Sequence, residues 1–217
     1  MGRAKAWLTL GGAPLLAQVA ARVRPLVGEI VVVAAPGQAL PSLPAVGRRR
    51  VRVVRDRVSG LGPLPAVARG LAAVRSPLAF VVACDAPFVR PALLAMLLAA
   101  APGADAVIPR WAGRPQPLVA LYRRRFGRRL AALARRGERR LHVVTALPRV
   151  RVLPAATLRA ADPGGASFRA LNTPAEYRAA RRAWRTEAME GLTIAASRAR
   201  APARRARRRV RARHASH

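Results

Sequence analysis

Between Leu78 and Ala83 the chain runs Leu-Ala-Phe-Val-Val-Ala without a polar residue, then meets Cys84-Asp85-Ala86-Pro87. An apolar run of this length, bounded by turn formers, predicts a strand buried on both faces in a parallel sheet. Glu29–Ala35, Val51–Val54, Asp105–Pro109 and Leu118–Tyr122 are predicted strands by the same reasoning, with Val150–Leu153 and Phe168–Leu171 as two shorter ones. Between them, apolar positions recur at helical spacing. Helices are predicted from Pro14 to Val27, Leu64 to Val74, Pro91 to Ala101, Arg123 to Arg136 and Ala175 to Glu187, and a short one over Glu138–Leu147. Pro14 suits a first helical position, and Gly137 suits a helix end. Gln38–Arg50 carries Pro41, Pro44 and Gly47, which predicts a loop. Strands alternating with helices imply an α/β fold with a mainly parallel sheet.

Composition narrows this picture. A chain of 217 residues, 52% of them hydrophobic, can bury one substantial core. Its apolar runs are too short to span a bilayer, and no signal peptide is expected from a start of Met-Gly-Arg-Ala-Lys. The single cysteine, Cys84, forms no internal disulfide, which suits a reducing cytoplasm. Its apolar neighbours favour inert packing over nucleophilic chemistry. The domain is expected over residues 1–190, with 191–217 as a separate tail.

The formal charge of +32 would ordinarily suggest a polyanionic partner. Yet 40 of the 41 basic residues are arginine, and Ala, Pro and Val are abundant throughout. The bias therefore belongs to the whole chain, and an aromatic content of 4% leaves few surfaces for stacking bases. Arg198–Arg213 holds nine arginines and no acid, the pattern of a disordered, like-charged block. Any nucleic-acid binding is expected to be non-specific and to run through that tail.

Three side chains carry candidate chemistry. Asp56 and Asp85 each follow a predicted strand, at the end where open α/β sheets bind ligands. Asp85 in that position could hold Mg2+, which is usually bound by one or two carboxylates and substrate phosphates. It could equally stabilise the turn at Pro87 or cap the helix near Pro91. Lys5 is the only lysine in the chain. A compact ammonium is not interchangeable with guanidinium where a point charge must reach a phosphate. A cation, a carboxylate for a metal, and backbone donors form the kit that phosphate transfer needs.

Several motifs occur in one order. Met1-Gly2-Arg3-Ala4-Lys5 precedes Leu10-Gly11-Gly12 and Pro14-Leu15-Leu16, then come Asp56, Gly62-Pro63-Leu64 and Cys84-Asp85-Ala86-Pro87. Gln116-Pro117-Leu118, Gly137-Glu138-Arg139-Arg140 and Asn172-Thr173-Pro174-Ala175-Glu176 follow. Together they resemble the molybdenum cofactor guanylyltransferase family. The resemblance covers about residues 1–185 and implies a Rossmann-like nucleotidyltransferase: a three-layer α/β/α fold of the nucleotide-diphospho-sugar-transferase type with a mostly parallel sheet.

The implied reaction joins GMP from GTP to molybdopterin carrying molybdenum and releases pyrophosphate, with Mg2+ as cofactor. Transferred by motif, Lys5 contacts the nucleotide phosphates, Asp56 the base or ribose, and Asp85 the metal. Gly62 and Pro63 shape the nucleotide pocket, while Arg139, Arg140, Asn172 and Thr173 face the pterin and its phosphate. The implied partners are GTP, the molybdopterin cofactor, and molybdoenzymes or proteins that insert the cofactor into them. Two departures stand out. The chain starts inside the family's nucleotide signature, ahead of which a first strand and a Leu-x-Gly-Gly loop are expected, and Val33-Ala34-Ala35 replaces an asparagine often found after the second strand. A cytidylyltransferase, another nucleotidyltransferase on a phosphorylated acceptor, an inactive paralogue and a basic nucleic-acid-binding protein are the competing readings.

Overall fold

A computed structural model describes residues 5–43, 51–56 and 60–186. The Arg-rich segment expected to form a tail lies outside these residues. By its contacts the chain divides into Met1–Asn172 and Thr173–His217; the boundary expected at residue 190 lies outside the described residues.

Nine strands are assigned among the described residues: β1 Thr9–Leu10, β2 Ala13–Pro14, β3 Ile30–Ala34, β4 Val51–Arg55, β5 Leu78–Val82, β6 Ala106–Trp111, β7 Arg114–Pro115, β8 Val119–Arg123 and β9 Val150–Leu153. The helices are α1 Leu15–Val23, α2 Pro63–Ala73, α3 Pro91–Ala99, α4 Gly127–Arg135 and a short α5 Ala155–Leu158, and a further helix spans 174–186. β1 and β2 form a small hairpin, and β3 pairs with β4 in parallel. In the larger sheet β8 lies between β5 and β6, antiparallel to both, while β9 pairs with β6 in parallel. Thus β5, β6 and β9 share one direction and β8 opposes it.

Period-two alternation divides the larger sheet's side chains between two faces. Val107, Val119, Leu121 and Leu153 pack with Leu93, Leu94 and Leu97 of α3. Ala106, Ile108, Ala120 and Tyr122 pack with Leu64, Val67 and Leu71 of α2 and with Leu130 of α4. The result is the expected three-layer α/β/α arrangement.

Several local expectations are corrected. The helix from Pro14 stops at Val23 and tightens into a 3-10 turn at Arg24–Leu26, because Pro25 cannot continue an α-helical ladder. Glu138–Leu147 contributes a 3-10 segment at Leu141–Ala146. Phe168–Leu171 forms no strand. Ala166–Phe168 is a 3-10 turn wrapped around Asp162, whose carboxylate accepts hydrogen bonds from the amides of Ala166 (2.9 Å) and Ser167 (2.7 Å). Arg90 Nε also lies 3.4 Å from this carboxylate, which is fully buried.

β5 was expected to be buried on both faces, yet all five of its residues are only half-buried. The reason lies beside it. A cavity of about 630 Å3 runs along β5 and β3 and is roofed by apolar residues of α1 and α2. At its lower end Glu29, just before β3, accepts hydrogen bonds from the amides of Arg75 (2.5 Å) and Ser76 (3.2 Å), just before β5. Arg52 of β4 reaches the same carboxylate at 2.9 Å.

Two outcomes test this framework. Replacing Asp162 by alanine strands the buried Ser167 amide and the part-buried Ala166 amide, and urea unfolding is expected to show a loss of about 3 kcal/mol. For Glu29, burial pushes the carboxyl upward, but hydrogen bonds from the Arg75 amide, the Arg52 side chain and the Ser76 amide outweigh it and hold the pKa below 4.5. A depressed carboxylate stabilises the fold fully above its unfolded pKa and ceases to do so as pH falls through the folded value. The stability gap between wild type and Glu29→Gln, from urea midpoints, should therefore be widest at neutral pH and shrink below about pH 4.5.

Candidate active site

Lys5 enters the site on a short 3-10 turn, Lys5–Trp7. Ala6 is buried against Leu16 and Val32, with Cys84 at the edge of the same cluster, and Trp7 Nε1 donates to the Ala39 carbonyl at 3.0 Å. These contacts hold the turn in place. β5 delivers the other half of the site. Its last residue is Val82, and the backbone turns over Ala83–Ala86 through a bond from the Ala86 amide to the Ala83 carbonyl, which places Asp85 just past the strand's carboxyl end.

The two side chains meet. Lys5 Nζ donates to Asp85 Oδ2 at 2.7 Å and also donates to Asn172 Oδ1. Asn172 is brought there because the amide of Leu171 donates to the Asp85 carbonyl at 3.2 Å. A cation from the N-terminal segment, a carboxylate from the sheet and an amide from residue 172 thus converge on one point. The ammonium is 38% exposed and the carboxylate 13% exposed, so the pair stands at an opening and its attraction is partly screened.

The remaining predicted site residues fall elsewhere. Asp56 follows β4 and is tied down by a bond from its amide to the Ala34 carbonyl, at 2.8 Å. Burial raises its carboxyl above the usual range, and Arg69 of α2 pulls partly the other way. Gly62 begins α2 with φ +80°, and a Cβ there would lie 2.8 Å from the Arg139 carbonyl oxygen. Both the backbone angle and the close approach require glycine. That same carbonyl accepts from the Leu64 amide at 3.2 Å, while Pro63 and Pro65 have no N–H to offer. The first turn of α2 is therefore poor in backbone donors, and Gly62-Pro63 can shape a pocket but not cradle an anion as open helix N-termini do.

Arg139 and Arg140 stand beside Glu138, which accepts from both of their amides, at 2.9 and 2.8 Å, and from Arg140 Nε at 3.2 Å. The Arg140 amide, the Arg140 side chain and the Arg139 amide hold the Glu138 carboxyl down to about 2. Neither guanidinium contacts Lys5 or Asp85 among the described residues. Thr173 belongs to the second unit, where it caps the helix spanning 174–186. Its Oγ1 accepts from the Glu176 amide at 3.2 Å, and Glu176 Oε2 accepts from the Thr173 amide at 2.8 Å. This reciprocal pair is a capping box, and Thr-x-x-Glu announced it in the sequence.

The convergence of Lys5 with Asn172 was not foreseen, since the motifs assigned these residues to different substrates. Their separation of 167 positions leaves no periodic signal that could have linked them. Asp162 and Ser167 likewise carried no signal.

Asp85 is the candidate metal ligand. No cluster of three or more His, Cys, Asp or Glu side chains suited to a metal exists among the described residues. Mg2+ is usually bound through one or two carboxylates together with substrate oxygens.

The fold that carries this pair is shared with solved structures. The fold resembles that of the molybdopterin-guanine dinucleotide biosynthesis protein A from Archaeoglobus fulgidus, with a TM-score of 0.64 and 22% identity, covering 83% of this chain and 90% of that one. It also resembles the 2-C-methyl-D-erythritol 4-phosphate cytidylyltransferase of Thermus thermophilus, with a TM-score of 0.61 and 24% identity over 83% and 93% of the two chains. At the sequence level, residues 1–151 match the MobA-like NTP transferase domain. A relative from Chloroflexus aggregans named "Probable molybdenum cofactor guanylyltransferase" is 40% identical over 167 residues, 75% of this chain and 77% of its own length. Another so named, from Mycobacterium tuberculosis, is 40% identical over 147 residues, 65% and 70% of the two chains. The chain belongs to the MobA-like nucleotidyltransferase family. Among the described residues no helix is long and apolar enough to cross a membrane.

Cys84, as the single cysteine, reports on the pair. Burial raises its thiol pKa, the Asp85 charge raises it further, and Lys5 lowers it. Because the thiolate is the reactive form, Asp85→Asn should speed alkylation of Cys84 by iodoacetamide near neutral pH, and Lys5→Met should slow it. Peptide mass spectrometry over a time course checks both.

Proposed function

We propose that this chain transfers GMP from GTP to molybdopterin carrying molybdenum, releasing pyrophosphate, with Asp85 as the ligand of an Mg2+ ion. The observation that carries the reading is the joining of Lys5, Asp85 and Asn172 at the carboxyl end of β5. The names of the 40% identical relatives favour guanylyl transfer over other nucleotidyl transfers.

In this reading an oxygen of the pterin's terminal phosphate forms a bond to the α-phosphorus of GTP, the bond to the β-phosphate oxygen breaks, and pyrophosphate leaves. Bound at Asp85, the metal supplies charge neutralisation for the triphosphate. Lys5 places an ammonium beside the same phosphates, where negative charge grows in the transition state. Before substrate arrives, Asp85 and Asn172 hold that ammonium in position, so little reorganisation is needed on binding. Asp56, Gly62 and Pro63 bound the nucleoside side of the pocket, and Arg139 and Arg140 offer exposed guanidinium groups to the pterin phosphate. No covalent enzyme intermediate is required.

Pyrophosphate release from purified chain, GTP, magnesium and molybdenum-loaded molybdopterin tests this. Turnover is expected with GTP in preference to CTP. Asp85→Asn and Lys5→Met should each lower it by at least ~100-fold, while Arg110→Ala, on β6, should leave it unchanged. Full turnover by Asp85→Asn would remove the metal role. A preference for CTP would replace guanylyl with cytidylyl transfer.

A further inference from the structure

Asn172 accepts a hydrogen bond from Lys5 at the mouth of the site, although Asn172 itself is exposed. An exposed side chain keeps one place only when its backbone is fixed, because ordering both sacrifices conformational entropy. The segment that precedes Asn172 supplies that restraint, and it starts from a buried carboxylate that the chemistry described above does not use.

Asp162 follows α5, and its amide donates to the Leu158 carbonyl at 2.9 Å. Its fully buried carboxylate spans the turn ahead: Oδ1 accepts from the Ala166 amide and Oδ2 from the Ser167 amide. The backbone closes the same turn through bonds from Gly165 to the Asp162 carbonyl (3.1 Å), from Phe168 to that of Gly165 (3.0 Å) and from Arg169 to that of Ala166 (3.1 Å). An ionised acceptor with each oxygen on a successive amide makes strong, directional bonds, so the turn keeps one shape.

That turn is docked on two sides. Ser167 is fully buried, and its hydroxyl oxygen accepts from the Arg90 amide at 2.9 Å, immediately ahead of α3. The Arg90 side chain returns to the Asp162 carboxylate, with Nε 3.4 Å away. On the other side Trp111, at the end of β6, stacks on Phe168 with ring centroids 5.5 Å apart. Trp111 also lies against Gly165, where φ is +62° and a Cβ would collide with the indole.

The docked turn leads directly to the site. Beyond the bond between Ser167 and Arg90, the Leu171 amide donates to the Asp85 carbonyl at 3.2 Å. Residues 85–90 and 167–171 thus run antiparallel and are pinned at both ends. Ala86, Phe88, Val89 and Leu171 are buried, so neither segment slides without exposing apolar surface. Asn172 is the residue after the second pin.

We infer that Asp162, acting through Ser167, is a positioning residue for the candidate active site: it shapes the turn that holds Asn172 against Lys5. The Lys5 ammonium is tetrahedral with three N–H groups. One goes to Asp85 and one to Asn172, and together those two acceptors set where the third points. Held by Asp85 alone, the ammonium would rotate about a single bond. A buried carboxylate therefore governs the aim of a cation that it does not contact among the described residues. The inference concerns the ammonium and not its ligand, so it does not rest on guanylyl transfer.

Lys5 is the only lysine, so the full 217-residue chain grown on 13C-lysine shows one ε-methylene group in its NMR spectrum. A held ammonium keeps the two ε protons inequivalent, and a freely rotating one averages them. At one fixed pH, Asn172→Ala supplies the spectrum of the lost contact. Ser167→Ala, and Asp162→Asn where it folds, should each move the Lys5 ε signals in the same direction and at least about half as far. Adding Asn172→Ala to either variant should move them no further than Asn172→Ala alone, as expected when two changes remove one interaction. Glu29→Gln, which loosens the fold at the start of β5, should leave them in place. Signals in Ser167→Ala that coincide with wild type would overturn the inference, whatever Asp162→Asn does. An equal displacement in Glu29→Gln would overturn it too, by marking a general loosening, as would an Asn172→Ala spectrum identical to wild type, since the amide would then not hold Lys5 at all.

Discussion

The site depends on a carboxylate at the end of a half-buried strand being met by a cation. Asp85 has been drawn out of bulk water by β5 and by the backbone bond to Leu171. A carboxylate in that position is costly unless a positive group or strong hydrogen-bond donors attend it. Lys5 answers that need, and in doing so it draws the N-terminal turn and Asn172 to the same point. One charge pair thus gathers three segments that are remote in sequence into a small polar mouth at the end of β5.

Arginine is abundant in this chain, and its distribution shows why abundance and function separate. Many guanidinium groups act as local ties: Arg52 reaches Glu29 and the Ala73 carbonyl, Arg125 reaches Asp105, and Arg140 reaches Glu138. A planar fork with several donors suits such bracing. At the active-site mouth the cation is instead the one lysine, whose three donors rotate freely about a compact charge. The chemical difference between the two cations separates a brace from a group suited to follow a phosphate.

Much of the fold was legible because it rests on local periodicity. The runs at Ile30–Ala34, Val51–Arg55 and Leu78–Val82, and the helical spacing of Leu64, Val67 and Leu71, appear in the structure within a residue or two. Misreadings arose where a local rule met a competing one. Pro25 shortened the first helix, and the strand expected at Phe168–Leu171 gave way to a turn organised by the Asp162 carboxylate. The half-buried state of β5 could not be read at all, since composition reports how apolar a strand is and not whether a neighbour covers its edge.

By itself the sequence determined the family, the alternation of strands and helices, the placing of Asp85 at a strand end and the singular status of Lys5, because each is a matter of residue type and short-range order. Only the tertiary structure decided that Lys5, Asp85 and Asn172 share one point, that Gly62 backs onto the Arg139 carbonyl, and that β3 and β5 border a largely apolar cavity. These are meetings of groups tens to well over a hundred positions apart. No local pattern encodes such meetings, which follow from the order of strands in the sheets and from the packing of helices against them.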